Sequence, residues 1–194
     1  MHKSFTLIEL IVVIAIIAIL AAIITPNAFR AIEKAKVSAA MNDFKTYKTA
    51  IYAFYADTGT WPLGWNDPRE SYHYCCEDNG LITNLRNWPG WDGPYLEKIR
   101  SQHPWGGVYC LEYSNLGRSS RMELFLEYNR CCYPSHVHSY QPCRSDNCFV
   151  PIRSAQRIDT QIDDGNLHSG DFFYQWSNPE GRADITWVLV WDAF

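Results

Sequence analysis

The sequence lacks the motifs that identify most enzymes. It has no G-x-S-x-G elbow, no H-E-x-x-H pair, no phosphate-binding loop and no dinucleotide fingerprint. Its 6 histidines are scattered, and we expect the close pair His136 and His138 to lie in a surface loop rather than to bind a metal. The sequence therefore predicts a protein that is not an enzyme.

Basic residues are also few and dispersed. The chain has 17 Lys and Arg against 21 Asp and Glu, which gives a net charge of -4. Nucleic-acid-binding domains usually carry a positive charge or a basic stripe. We therefore expect no nucleic-acid partner.

The 7 cysteines show none of the spacings of zinc or haem sites. Because all of them follow an apolar N-terminal segment, we expect an oxidising compartment and up to three disulfides. One thiol then remains, either free or joined to another subunit. The sequence does not determine which cysteines pair with each other. Residues 129–150 are predicted to form a disulfide-tied loop. The disulfide candidates are Cys75, Cys76, Cys110, Cys131, Cys132, Cys143 and Cys148.

A long apolar run lies at the N-terminus, over residues 5–24. As a helix it would reach about 30 Å, the hydrocarbon thickness of a bilayer, whereas the apolar part of a signal peptide is shorter. Lys3 precedes the run, and the next basic residue is Arg30. This asymmetry predicts a membrane anchor with a cytoplasmic N-terminus and an exported C-terminal domain.

Glu9 is the one ionisable residue within this run. A carboxylate in hydrocarbon is unfavourable by about 3 kcal/mol, so it needs a partner or a shallow position. Both explanations remain open on the residues alone.

The sequence after the apolar run predicts an amphipathic helix over residues 28–57. Its apolar positions recur in alternating steps of four and three residues, and Gly59 with Pro62 supplies a stop. Lys34, Asp43 and Lys48 are expected to lie mostly off this stripe. The stripe consists of Ala40, Phe44, Tyr47, Ile51 and Phe54.

Pro26 lies between the two halves and is expected to kink a single helix over residues 5–58. The alternative is that Pro26 ends the anchor.

The remaining residues, 59–194, predict a globular head with an antiparallel sheet. Segments 171–176 and 185–191 flank a turn-rich stretch and predict a hairpin, and 108–113 and 123–128 predict two further strands. The expected fold class is α+β, in which a long kinked N-terminal helix packs on a small antiparallel β-sheet head with disulfide-tied loops.

Acidic residues cluster around Gly165 and form one candidate metal site. Carboxylate and amide oxygens are the hard ligands that Ca²⁺ prefers, so calcium is a possible cofactor. The alternative is an ordinary turn with capping side chains. The candidate ligands are Asp159, Asp163, Asp164, Asn166 and Asp171.

The N-terminal pattern as a whole resembles the class III signal of type IV pilins and type II secretion major pseudopilins. The resemblance implies that a prepilin peptidase cuts between Ser4 and Phe5 and methylates the new amine. It also implies that Glu9 pairs with the amino terminus of a neighbouring subunit and that Pro26 marks a segment that bends in filaments. Ser4 stands where the family usually has Gly.

The head carries further elements similar to those of major pseudopilins. Tyr55, Gly59 and Trp61-Pro62 match the helix exit, and residues 93–96 and 103–109 resemble the G-Y-L and D-P-W-G-x-P-Y elements. His103 stands where Asp is usual.

The resemblance implies a structural subunit of an extracellular or periplasm-spanning type IV pilus-like filament. The expected organisation is a leader (1–4), a helix (5–58, with the anchor at 5–25) and a head (59–194). Expected partners are copies of the chain itself, the prepilin peptidase and the inner-membrane assembly machinery. The subunit is expected in the inner membrane before assembly and then in a pilus or a periplasmic pseudopilus. The alternative is a minor pilin or membrane-tethered adhesin at a filament tip.

Overall fold

A computed structural model of the chain divides into two compact units, Met1–Lys36 and Val37–Phe194. Ser4, Phe5, residues 129–149 and every cysteine except Cys110 lie outside the described residues. The predictions for them therefore stay predictions. The described residues are 6–63, 79–100, 102–115, 120–127, 150–178 and 182–191.

Helix α1 runs from Leu7 to Thr58 and contains Pro26. Pro26 therefore does not end the helix, and the end of the anchor stays a prediction. Proline has no N–H and leaves one carbonyl of the preceding turn without its helical donor. One residue earlier, the Thr25 hydroxyl donates to the Ala21 carbonyl oxygen at 2.6 Å, a polar contact within the same turn. The predicted kink stays a prediction.

The C-terminus of α1 confirms the predicted stop. Gly59 has φ of +68°, a left-handed conformation that glycine adopts without a steric cost. Its N–H donates to the Tyr55 carbonyl oxygen at 2.8 Å, and the Thr58 hydroxyl donates to the Phe54 carbonyl oxygen at 2.7 Å. Together these bonds satisfy carbonyl groups that the helix end would otherwise leave unpaired.

The part of α1 that belongs to the second unit buries the predicted stripe. Ala40, Phe44, Tyr47, Ile51 and Phe54 are all buried, which confirms the sequence assignment. Asp43, expected to lie off the stripe, is buried as well, with an exposed fraction of 4%. That expectation was wrong because neighbouring polar groups, described below, satisfy the carboxylate.

Within the described residues, five strands form one antiparallel sheet. β1 pairs with β2, and β2 pairs with β5. β4 pairs with β5 as an antiparallel hairpin at the predicted place, and the short β3 pairs with the first residues of β5. The strands are β1 (Val108–Asn115), β2 (Ser120–Glu127), β3 (Val150–Pro151), β4 (Phe172–Asn178) and β5 (Arg182–Trp191).

A second helix, α2 (Ile152–Ile162), follows β3 directly and was not predicted. Pro151 stands at its N-cap with φ of -60°, a value that proline favours. Ala155 and Ile158 are fully buried on its inner face. This helix ends at the acidic segment and so positions the candidate ligands.

Aromatic rings join α1 to the sheet. Phe44 of α1 meets Tyr109 of β1 edge to face, with ring centroids 6.1 Å apart, and Phe172 of β4 with centroids 6.0 Å apart. Such pairs contribute about 1 kcal/mol beyond their burial. The α1 stripe and the sheet therefore share one core, which also includes Ala155 and Ile158 of α2.

Candidate assembly segment and candidate cation site

The first unit presents a continuous apolar surface. The large apolar side chains of α1 from Leu7 to Ile32 are exposed in the single chain, with exposed fractions between 47% at Val13 and 76% at Leu7. The helix is long and apolar enough to cross a membrane. Exposure of this extent in water is unfavourable by about 25 cal/mol per Å², so the segment needs lipid or other protein around it.

Glu9 and Thr6 form a capping box at the start of α1. The Thr6 N–H and hydroxyl both donate to Glu9 Oε2, at 2.8 and 2.6 Å. In return, the Glu9 N–H donates to Thr6 Oγ1 at 3.3 Å. The pair satisfies donors that the first turn of a helix leaves unpaired.

The carboxylate of Glu9 therefore has partners within its own chain. Sequence reasoning assigned Glu9 to assembly but missed the role of Thr6. The signal was present, because Thr followed three residues later by Glu, before an apolar run, is typical of a capping box.

Asp159 lies on the inner face of α2 and is fully buried. Neither of its carboxylate oxygens has a hydrogen-bond partner among the described residues. Burial raises the pKa of Asp159 to about 6, and repulsion from Asp164 and Asp163 adds to this. An ionised carboxylate in this position needs a positive partner.

Asp163 and Asp164 bring two more carboxylates to the same place. Asp163 Oδ2 accepts the N–H groups of Asp171 and Phe172, at 2.5 and 2.9 Å. Asp164 Oδ1 accepts the Asn166 N–H at 2.7 Å, and its Oδ2 accepts the Ser169 hydroxyl at 2.7 Å. One oxygen each of Asp159, Asp163 and Asp164 lie within 4.8 Å of one another.

The other two predicted ligands do not join this group. Asn166 Oδ1 accepts the His168 N–H at 3.2 Å and so helps to shape the turn. Asp171 is not among the clustered carboxylates and contributes its N–H to Asp163. Turn hydrogen bonds hold Asp163 and Asp164 in place, as expected of a turn with capping side chains, and calcium binding stays a prediction.

A buried polar network in the second unit was missed from the sequence. Asp43 Oδ2 accepts the Tyr109 hydroxyl at 3.0 Å, and Asp43 Oδ1 lies 3.3 Å from Arg100 Nη1. Burial, followed by the charge of Asp43 and its hydrogen bond, raises the pKa of Tyr109 well above its usual value. The tyrosine therefore stays a neutral donor to Asp43, and the network stabilises the core.

Two family models match the sequence. The "Prokaryotic N-terminal methylation motif" matches residues 1–25, and "PilW, C-terminal" matches residues 31–117. The chain belongs to the type IV pilin and pseudopilin family. In this pilin-like chain the motif implies processing by a prepilin peptidase, insertion in a membrane and polymerisation into a filament.

One solved structure that matches the chain is that of the major type IV pilin PilA1 from Clostridium difficile. It has 15% sequence identity, covers 82% of this pilin-like chain and 97% of its own chain, and gives a TM-score of 0.47. A search of curated proteins gave no match. The family assignment rests on the two sequence models.

Proposed function

We propose that the chain is a structural, non-catalytic subunit of a type IV pilus-like filament, extracellular or periplasm-spanning, which polymerises through the N-terminal half of α1. The observation that carries the proposal is the exposed apolar surface between Leu7 and Ile32. Such a helix can leave lipid only by packing against other apolar helices, and identical copies provide them.

Glu9 gives the packing of neighbouring N-terminal helices a fixed axial register. After cleavage between Ser4 and Phe5, the new amine would be a positive charge close to Glu9. An amine and a carboxylate that pair between neighbouring subunits place opposite charges together in an apolar surrounding, whereas a shifted register leaves the amine without a partner. The proposal therefore assigns Glu9 the role of selecting one axial position.

Filaments sheared from the source cells provide the first test. We expect this chain, beginning at a methylated Phe5, to be the dominant protein by mass spectrometry, and cryo-electron microscopy to place residues 5–32 at the filament axis. A major subunit dominates such a preparation, whereas a tip adhesin is nearly absent from it. A chain that is found only as a trace component, or with its leader intact, contradicts the proposal.

Replacement of Glu9 tests the register. We expect Glu9→Gln to reduce filament yield at least about tenfold with no change in the amount of chain in the membrane, because an unpaired amine in the core costs several kcal/mol. Yield is measured by quantitative immunoblotting of sheared and membrane fractions.

The matched control is Glu33→Gln, which removes a carboxylate of the same helix that pairs with Lys36 at its surface, at 3.7 Å. We expect this variant to assemble like the parent, since surface ion pairs contribute less than about 1 kcal/mol. Equal yields from the two variants would show that Glu9 does not set the register.

A further inference from the structure

Two basic residues of α1 lie just beyond its apolar run. At a rise of about 1.5 Å per residue, Arg30 lies about 9 Å and Lys34 about 15 Å beyond Ile24 along the helix axis. Where an apolar run spans the hydrocarbon core of a bilayer, the polar headgroup layer extends about 5 to 8 Å further. Arg30 therefore lies at the outer edge of the headgroup layer, and Lys34 lies one helical turn beyond it.

Helix geometry turns the side chains of Arg30 and Lys34 back towards the membrane. In an α-helix each Cα–Cβ bond is inclined towards the N-terminus, which here is the side of the apolar run. Long Lys and Arg side chains place their methylene groups along apolar surface and their charged groups at the level of polar headgroups. The charges of Arg30 and Lys34 can therefore reach lipid phosphates that lie closer to the membrane than their Cα atoms.

Neither charge is neutralised within the part of the chain that the structure describes. Arg30 and Lys34 are both exposed, and no described carboxylate forms an ion pair with either of them. In contrast, Lys36 Nζ lies 3.7 Å from Glu33 Oε1. Because Arg30 and Lys34 are four residues apart, they share one side of α1, where like charges repel each other. An anion between them would offset this repulsion.

The apolar neighbours of these two residues favour a lipid over a soluble anion. Phe29 and Ile32 are 65% and 52% exposed in the single chain. Helical spacing places these two on a different side of α1 from Arg30 and Lys34. A helical segment with Phe on one side and Lys and Arg on another is typical of the membrane interface. A soluble anion would pair with the charges but would leave Phe29 and Ile32 in water.

We propose that Arg30 and Lys34 bind the phosphate groups of anionic phospholipids at the membrane surface where the apolar run of α1 ends. The Arg30 guanidinium can donate two parallel hydrogen bonds to one phosphate, and the Lys34 ammonium adds a point charge. Before assembly, the chain is then surrounded by lipids that are richer in anionic headgroups than the bulk membrane. Lipid binding requires membrane insertion, as the proposed filament role does, but it does not require polymerisation.

The test uses the full chain in detergent with equal amounts of phosphatidylglycerol, which is anionic, and phosphatidylcholine, which has no net charge. Native mass spectrometry measures the ratio of the two lipids that the chain retains. We expect the parent to retain phosphatidylglycerol at least about fivefold over phosphatidylcholine, because one basic residue near an anionic surface contributes about that factor. A parent chain that retains both lipids equally overturns the proposal.

Three double variants locate the lipid. Arg30→Gln with Lys34→Gln should lower the lipid ratio at least about threefold, since both charges are removed. Arg30→Lys with Lys34→Arg keeps both charges and should retain most of the parent ratio. The matched control, Lys45→Gln with Lys98→Gln, removes two exposed basic residues of the second unit and should retain lipid like the parent.

The variants also separate lipid binding from contact between subunits. An unchanged lipid ratio after both glutamine replacements at Arg30 and Lys34, or an equal fall in the matched control, would show that anionic lipid does not bind here. Filament yield is measured for the same variants. A loss of yield with an unchanged lipid ratio would assign Arg30 and Lys34 to subunit contacts instead. The expected lipid ratios in a chain that never forms filaments would support lipid binding and contradict the filament role alone.

Discussion

At the scale of single residues, Asp43 shows that polar partners close in space allow a charged side chain to be buried. Helical periodicity places a charged residue at this position towards solvent, and its burial without partners would cost several kcal/mol. In the structure Tyr109 donates to one carboxylate oxygen and Arg100 lies beside the other. These partners come from distant parts of the chain, so the sequence pattern of α1 cannot reveal them.

The hydroxyl of Tyr109 gives the first prediction at this scale. We expect Tyr109→Phe to lower the free energy of unfolding by about 1.5 to 3 kcal/mol, because a hydrogen bond to a buried charged group is lost. Urea unfolding of the full chain in detergent at pH 8 measures the change.

Tyr95 supplies a matched control for this experiment. Its hydroxyl also donates to an aspartate, Asp57 Oδ2 at 2.8 Å, but this bond is exposed to solvent. We expect Tyr95→Phe to cost less than about 0.5 kcal/mol, since water replaces the lost partner. Similar costs for the two replacements would mean that burial of Asp43 does not determine the effect.

At the scale of elements, the end of α1 depends on one backbone conformation. Gly59 has φ of +68°, and a Cβ added there would meet no atom within 4 Å. A substitution at this position therefore tests backbone strain without a steric clash. We expect Gly59→Ala to destabilise the chain by about 1 kcal/mol, as measured by thermal unfolding.

Asparagine tests the same explanation independently, because it tolerates the left-handed conformation better than alanine does. Gly59→Asn should therefore cost clearly less than Gly59→Ala. The opposite order would contradict the assignment of Gly59 as the residue that terminates the helix.

Elements differ in how far the sequence alone predicts them. The stripe of α1 extends over several turns and carries its own stop signal, so both could be predicted. Helix α2 has only 11 residues. Its apolar positions Ile152, Ala155, Ile158 and Ile162 follow helical spacing, but so short a pattern was not recognised as a helix in the sequence. Without this helix, the sequence could name the acidic residues but could not select the three that meet.

At the scale of the whole molecule, the stability of the fold depends on the protonation of Tyr109. Its pKa is raised in the folded chain from an ordinary value of 10.0, mainly by burial and then by Asp43. Above about pH 10 the unfolded chain loses this proton while the folded chain keeps it. The contribution of the Tyr109 proton to the free energy of unfolding is fully present below pH 10. As the pH rises beyond 10, the free energy of unfolding falls by up to about 1.4 kcal/mol per pH unit.

This linkage predicts a pH-dependent difference between the parent and Tyr109→Phe. We expect the stability advantage of the parent, measured by urea unfolding between pH 8 and 11.5, to be constant up to about pH 10 and then to shrink. Tyrosinate absorbance should show that one tyrosine fewer ionises only on unfolding in the variant than in the parent, where burial raises the pKa of Tyr47 as well as that of Tyr109. A constant advantage up to pH 11.5 would exclude this linkage.

The hydrogen bonds between Thr6 and Glu9 also bear on the thermodynamics of filament growth. Because the carboxylate already has donors in the single chain, the proposed contact with an incoming amine would be an exchange of partners and not the capture of an unsatisfied group. The net free energy gained is the difference between Glu9 bonded to Thr6 and Glu9 bonded to the amine. We expect this difference to be about 1 kcal/mol, less than the full value of a buried ion pair. Growth must therefore draw most of its driving force from apolar contact, and depolymerisation can return each subunit to the bilayer with its acid still satisfied.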